Sequence, residues 1–353
     1  EPGPRLDAAS VAAAADLVAG NCRQVGLPLR VGFHGGGEPT LYRRQVEALL
    51  AVVHGAAARH GLETFLYVAT NGVMAEEKAA WLAQNFDMVG LSCDGPAVIH
   101  DAQRPARDGR GTLAAVERTA AVLRRAGTLY QVRVTVTAAN LARQAEVADY
   151  LCRTLAPEAI RLEPAYLGGR GRPGVVPAAG RAGEFVAGFL AARAVAAGYG
   201  MPLTISGSRL GEVHGPYCHL YRQVLNLVPG EGGAVATACF KAGQGAVARA
   251  RGVVVGRLDR ARGDFVLDLA RIVALRRRLA ARPARCRACF NRFHCTGDCP
   301  DLCPLQGGPG PEAGFRCRMQ RALAGAVLAE RAEQLWAQVV AGEAEAPHGT
   351  RLF

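Results

Sequence analysis

The sequence predicts an α/β fold built on parallel strands, as a sheet or barrel, with a cysteine-rich region behind it. Three observations carry this reading. Strand-like and helix-like segments alternate through the first half of the 353 residues. Three strand-like segments run straight into short glycine-bearing loops that also hold carboxylates, amides or hydroxyls. The cysteines then concentrate in a patterned block toward the C-terminus. Strands that alternate with helices form βαβ units, which make parallel sheets.

Taken in order, Asp7 caps a segment in which Val11, Leu17 and Val18 carry helical spacing. Leu29 to Phe33 reads as strand. Tyr42, Val46, Leu49, Leu50 and Val53 again carry helical spacing, Thr64 to Val68 reads as strand, and 75–84 as helix. Met88 to Leu91 is a short apolar strand. Leu113, Val116, Ala120 and Leu123 form a helical face, Val132, Val134 and Val136 alternate as a strand, and Val147 and Leu151 mark a helix. Ile160 to Leu162 is the last strand of this half. The stretch 168-GGRGRPGVVP-177 is a linker or active-site loop, and the next helix carries Phe185 and Phe189. A helical segment near 266–280 interrupts the cysteine region, and Leu328, Leu335 and Val339 lie on a closing amphipathic helix. The boundaries that follow are 1–178 for the α/β part, 179–217 for a helical linker, 218–320 for the cysteine domain and 321–353 for the terminal helix and tail.

The net charge of +12 comes from arginine, since Lys78 and Lys241 are the only lysines. The arginines are spread along predicted helices, with 124-RR-125 and 276-RRR-278 as the tight runs. Solvated faces explain this better than a nucleic-acid stripe, so nucleic acid is not an expected partner. No apolar run is long enough to span a membrane. No secretory signal opens the chain, which begins at Glu1 rather than Met. Clustered cysteines, odd in number, fit metal binding in the cytoplasm better than a secreted disulfide framework.

Cys286, Cys289, Cys295 and Cys299 read C-x2-C-x5-C-x3-C, with Cys317 following and Cys218 and Cys239 upstream. Thiolates at such spacings wrap iron–sulfur clusters. Zinc is the rival reading, because four-sulfur zinc sites use the same residues. The three loops are His34-Gly35-Gly36-Gly37-Glu38-Pro39, Thr70-Asn71-Gly72 and Ser92-Cys93-Asp94-Gly95-Pro96. In a parallel α/β architecture they share the rim at the carboxyl ends of the strands, where ligands bind. His34 and the pair Glu163 and Tyr166 are further rim candidates. Cys22, Cys93 and Cys152 read as packed thiols, and Asp94 and Asp101 suit turns and caps as well as chemistry.

The combination resembles the radical S-adenosylmethionine enzymes that carry a C-terminal SPASM domain, over nearly the whole chain. Gly36-Gly37-Glu38-Pro39 is similar to that family's GGEP motif, Thr70-Asn71-Gly72 to its TNG strand end, and Ser92-Cys93-Asp94-Gly95 with His100, Asp101 and Arg104 to its S-x-DGP stretch. The resemblance implies a partial (βα)6 barrel, its first strand missing or displaced, then a small SPASM domain and a C-terminal helix. It implies that Gly36, Gly37, Glu38, Pro39, Thr70, Asn71, Ser92, Asp94 and Arg104 bind S-adenosylmethionine, with Ser92 and Arg104 on its carboxylate. It implies two auxiliary [4Fe–4S] clusters, one on Cys286, Cys289, Cys295 and Cys317, the other on Cys218, Cys239 and Cys299 with Cys303 as a candidate fourth ligand. It also implies a peptide or protein substrate, oxidised or crosslinked through a 5′-deoxyadenosyl radical, and an electron donor such as a flavodoxin or ferredoxin.

The chain departs from the family in two places. The C-x3-C-x2-C motif of the radical-generating cluster is absent, and Cys22 is the only cysteine before Cys93. The expectation is that this motif and the first strand lie upstream of Glu1; the alternative is a degenerate scaffold that binds a peptide or partner enzyme without chemistry, and a zinc-stabilised α/β protein is a third reading. Phe240 stands where sulfatase-maturing members carry an aspartate after the cysteine matched by Cys239. That points toward maturation of a ribosomal peptide product. No catalytic acid or base is assigned.

Overall fold

A computed structural model describes residues 5–34, 37–165, 174–207, 210–211, 213, 220, 224–230, 233–237, 253–282, 284–296 and 314–341. Gly36, Tyr166, Cys218, Cys239, Phe240, Cys299 and Cys303 lie outside the described residues. Helix α1 (Ala8–Val25) starts where the Asp7 carboxylate accepts the Ser10 N–H at 2.8 Å and stops at Gly26, whose φ of 66° a side chain would disfavour.

Six parallel strands then lie side by side in chain order: β1 (Leu29–Phe33), β2 (Thr64–Thr70), β3 (Met88–Ser92), β4 (Leu129–Val136), β5 (Ala159–Pro164) and β6 (Leu203–Thr204). Their connections are α2 (Arg43–His60), α3 (Glu76–Asn85), α4 (Ala97–Gln103) with α5 (Leu113–Arg125), α6 (Gln144–Tyr150, running into a π turn over Leu151–Leu155) and α7 (Ala182–Gly198). β1 and β6 are the two edges, so the barrel is open between them. One set of alternate strand residues is buried against the helices, among them Leu66, Val68, Val89, Leu91, Val132, Val134, Ile160 and Leu162. Each such side chain contributes about 1.5–3 kcal/mol of burial. The other set forms the second face: Tyr67 and Ala69, Gly90 and Ser92, Gln131, Arg133 and Thr135, Arg161 and Glu163. That face is unusually polar for an inner surface. Gly90 is required there, because a Cβ would stand 1.9 Å from the Tyr67 hydroxyl.

The five strands read from the sequence are present. Two features differ. β6 lies inside the stretch read as a helical linker, and at two residues it is too short to show a period. A second sheet, of antiparallel strands β7 (Asn226–Gly230), β8 (Gly233–Thr237), β9 (Val254–Asp259) and β10 (Asp264–Leu267), went unread within the cysteine region. It packs on α1, with Ala14 and Leu17 against Ala236, Val255 and Phe265. Asp7 Oδ2 and Ser10 Oγ accept the Ala234 N–H at 2.8 and 3.1 Å, so α1 serves both sheets. Helix α8 (Leu269–Ala280) adds Leu275 to this second core, and α9 (Phe315–Val340) docks on α7, Phe315 edge-on to Phe185 at 5.8 Å. No helix among the described residues is long and apolar enough to cross a membrane.

Candidate functional site

Glu38 joins two of the rim loops. Its Oε1 accepts the Thr40 N–H (3.2 Å), the Thr40 hydroxyl (2.9 Å) and the Thr70 hydroxyl (2.8 Å), while Oε2 accepts the Asn71 N–H at 2.7 Å. Oε1 thus shares three donors and Oε2 takes one, so the carboxylate is fixed to both loops while Oε2 keeps an acceptor site. Thr70 Oγ1 in turn accepts the Gly72 N–H at 3.1 Å, and Asn71 Oδ1 the Val73 N–H at 2.8 Å. At Gly72, with φ 74°, a Cβ would stand 2.5 Å from Leu91. Gly37 is the opposite case: it is exposed, with nothing within 4 Å of where its Cβ would stand. Pro39 opens the short turn Pro39–Tyr42.

The third loop closes on a buried charge. Asp94 is 1% exposed and Arg104 28%. Arg104 donates from Nε to Asp94 Oδ2 (2.7 Å) and from Nη2 to Oδ1 (3.1 Å) and to the Thr135 hydroxyl (3.0 Å). The Thr135 N–H adds a bond to Asp94 Oδ1 at 2.8 Å. A two-pronged guanidinium and an amide satisfy this buried carboxylate. His100, fully buried, accepts the Asp94 N–H at Nδ1 (3.2 Å) and stands 3.1 Å from Thr112 Oγ1 through Nε2. An accepting Nδ1 leaves the proton on Nε2, and Thr112 passes the chain on to the Arg104 carbonyl at 2.6 Å. Burial holds the His100 pKa below its ordinary 6.5, Arg104 adds to this, and Asp94, Asp101 and Glu117 oppose it. Asp101 caps α5 through the Thr112 and Leu113 N–H groups at 2.8 and 2.9 Å. Cys93, fully buried, has its thiol pushed up to about 12 by desolvation, so it is a packed thiol rather than a nucleophile.

Beside this loop, Ser92 is in register with Arg133, and Arg133 with Arg161. Arg133 Nη1 is 2.8 Å from His34 Nε2. Guanidinium only donates, so that imidazole nitrogen accepts. On β5, Glu163 accepts from the Ser206 N–H at 3.0 Å and from the Ser206 hydroxyl, and Arg316 of α9, 3% exposed, sits 3.5 Å away. Arg161 is paired with no carboxylate among the described residues. The inner face is therefore cationic around one tied carboxylate, which favours an anionic group on a ligand.

The cysteine turn follows α8. Cys286, Cys289 and Cys295 are partly buried thiols, as is Cys317 in the first turn of α9. Cys295 Sγ lies 2.8 Å from Oε1 of Gln320, one turn after Cys317, and the Asn291 amide donates to the Gln320 carbonyl at 3.4 Å. Among the described residues no three His, Cys, Asp or Glu side chains converge as a metal group. The structure thus puts the four thiols on two adjoining segments without closing them round one point.

Sequence reasoning missed Arg133, Thr135, Ser206 and Arg316. Arg133 and Thr135 were legible as the polar phase of the β4 alternation whose apolar phase is Val132, Val134 and Val136. Ser206 and Arg316 carry no local signal, since only the packing of α9 and the strand after α7 brings them to Glu163.

No family model matches the chain. It is 33% identical over 109 residues to the cysteine-type anaerobic sulfatase-maturating enzyme of Clostridium perfringens, an alignment covering 31% of this chain and 29% of that enzyme. The matched part is thus under a third of that relative's length. Native anSMEcpe with bound AdoMet shares the fold at a TM-score of 0.68 and 16% identity, over 94% of this chain and 91% of that one. A histidine-tagged form of anSMEcpe with bound AdoMet gives 0.69 and 16%, over 96% and 89%. Native anSMEcpe with bound AdoMet and Cp18Cys peptide gives 0.66 and 17%, over 93% and 92%. At these identities the likeness is one of fold.

Proposed function

We propose, from a fold shared with the radical S-adenosylmethionine enzymes that carry a SPASM domain, that this chain is the cofactor-binding barrel and auxiliary-cluster part of a peptide-modifying maturase. The observation that carries the reading is the rim: three loops at consecutive strand ends, tied by Glu38 and by the Asp94–Arg104 pair, around an open cationic face. The neighbouring structures hold AdoMet, and one of them a peptide as well, which supports the same ligand classes here.

The residues present fit S-adenosylmethionine. Gly37 leaves open space, and Glu38 fixes the loop that presents it. Ser92 and Arg133 share a register position on the open face, whereas Nε and Nη2 of Arg104 are spent on Asp94 and Thr135. Arg133 is therefore the better guanidinium to meet the cofactor's carboxylate, and Arg104 the one that positions the loop. When bound and reduced by one electron, S-adenosylmethionine would supply hydrogen-atom abstraction, and the C-x3-C-x2-C thiolates that would hold the reducing cluster are not in this sequence. The protein's part is to orient it and the peptide and to exclude water. The thiols of Cys286, Cys289, Cys295 and Cys317 suit a [4Fe–4S] cluster in donor type, with Cys218, Cys239 and Cys299 as the second set and Cys303 as a candidate fourth ligand to it. Phe240 in place of an acid supports a ribosomal peptide product, rather than a sulfatase, as the substrate.

The test is metal and cofactor binding on anaerobically reconstituted protein. About eight iron atoms and as many sulfides per chain, with S-adenosylmethionine bound and weakened by Arg133→Met more than by Arg104→Lys, is the expected result. Colourless protein with about two zinc ions and no cofactor binding would overturn it.

A further inference from the structure

Arg133 and Arg161 stand side by side. They are register partners on the adjacent parallel strands β4 and β5, and both lie on the inner phase of their strands. Adjacent strands run about 4.8 Å apart, so two guanidinium side chains rooted there repel one another. Among the described residues no carboxylate pairs with either. Arg133 turns Nη1 to His34, whose accepting ring is neutral and brings no counter-charge. Glu163 shares the face two residues beyond Arg161, but its Oε1 accepts the Ser206 N–H and hydroxyl and its Oε2 faces Arg316 at 3.5 Å. Asp94 is matched by Arg104. Thr204, the register partner of Arg161 on β6, carries no charge. Nε of Arg161 is buried and has no hydrogen-bond partner among the described residues. A buried donor left unsatisfied is a cost that a bound acceptor removes.

The inner face thus holds two guanidinium groups in excess. S-adenosylmethionine brings one carboxylate, while its ammonium and sulfonium groups add positive charge. With that carboxylate on Arg133, Arg161 stays uncompensated and the filled site is still cationic. We propose that Arg161 binds a carboxylate of the peptide substrate, so that the residue modified, or its neighbour, is acidic. The proposal rests on the maturase reading for the identity of that peptide. A guanidinium suits the task because its paired N–H donors match the two oxygens of a carboxylate, and its root on a central strand fixes where they point. Two sources share this chemistry, an aspartate or glutamate side chain and a chain-terminal carboxylate, and the test separates them.

The test is calorimetry on the anaerobically reconstituted full chain, with and without saturating S-adenosylmethionine. The probes are the N-acetyl tripeptide amides alanine–glutamate–alanine and alanine–glutamine–alanine, and the glutamine peptide with a free C-terminal carboxylate. One of the two carboxylate peptides should bind about tenfold or more tightly than the neutral amide, and which one does so names the source. Arg161→Met should remove that preference with S-adenosylmethionine binding retained, and Arg161→Lys, which keeps the charge without the paired donors, should keep part of it. Circular dichroism checks that each variant is folded. If Arg161→Met is not, Arg161→Lys is read in its place, and an undiminished preference there overturns the proposal. Equal binding of the three peptides, or a preference that survives Arg161→Met, would overturn it as well. So would folded Arg161→Met that loses S-adenosylmethionine, since Arg161 would then serve the cofactor. Wild-type protein that prefers a carboxylate through Arg161 yet binds no S-adenosylmethionine would instead overturn the maturase reading and leave the carboxylate site standing.

Discussion

The rim loops and the cysteine turn are built on opposite plans. At the rim, each polar group that shapes the site is held by another part of the protein: Glu38 by Thr70 and Asn71, Asp94 by Arg104 and Thr135, Glu163 by Ser206. Those side chains sit over a continuous apolar core. In the cysteine turn the thiols are partly exposed and Phe290 and Phe293 face outward, while ties among the described residues run from Asn291 and Cys295 to Gln320, from Arg282 to Cys295 and from Arg292 to the Arg287 carbonyl. The first site is preorganised by the fold. The second has its thiols on two segments, and the proposed cluster would couple metal binding to local folding there.

The contrast can be broken most directly at Asp94. Asp94→Ala leaves Arg104 without its counter-charge and should cost about 3–5 kcal/mol in denaturant unfolding. A double variant with Arg104→Met should cost less than the sum of the single changes. A loss within experimental error would mean the rim is not held by its own charges. Gly90→Val tests packing rather than charge. Overfilling the space under Tyr67 should cost about 1–3 kcal/mol, and the cost should shrink in a Tyr67→Ala background. Glu38→Gln keeps the shape but loses charge-assisted bonds. The expected loss is about 1–2 kcal/mol, with weaker S-adenosylmethionine binding seen by equilibrium dialysis.

His100 sharpens the same contrast through pH. Its folded pKa lies below the ordinary 6.5, so the unfolded chain binds the proton more readily. The stability it contributes is therefore complete above pH 6.5 and is lost as pH falls through that value toward the folded pKa. Unfolding midpoints should decline between about pH 7 and pH 5, and His100→Asn should flatten that limb; an unchanged slope counts against a buried neutral imidazole. The smallest effect on the fold is expected in the cysteine turn. Cys295→Ala should shift metal-free stability by no more than about 0.5 kcal/mol yet lower the iron retained after reconstitution. A large metal-free loss would show that this turn, too, is held by the protein alone.

Much of this was legible in the chain because local periods and turns report local physics. The alternation of Val132, Val134 and Val136 placed β4, and by default put Arg133 and Thr135 on the other face. The Asp7 cap was readable, as were the glycine-bearing loops, and the structure gives Gly72 and Gly95 in two of them φ of 74° and 119°. The antiparallel sheet was not read, because its hairpin pairs form between short segments whose partner is α1, far away in sequence.

By itself, then, the sequence determined the βα alternation, the three loops at strand ends and the grouping of thiols, all properties of neighbours along the chain. Only the tertiary structure decided which groups are spent and which remain to act. Arg104 is turned inward to Asp94, His34 meets Arg133 across 99 residues, and Arg316 arrives from α9 to face Glu163. The reason is physical: a buried charge takes the partner that packing brings within hydrogen-bond reach, and packing joins elements that no local period relates.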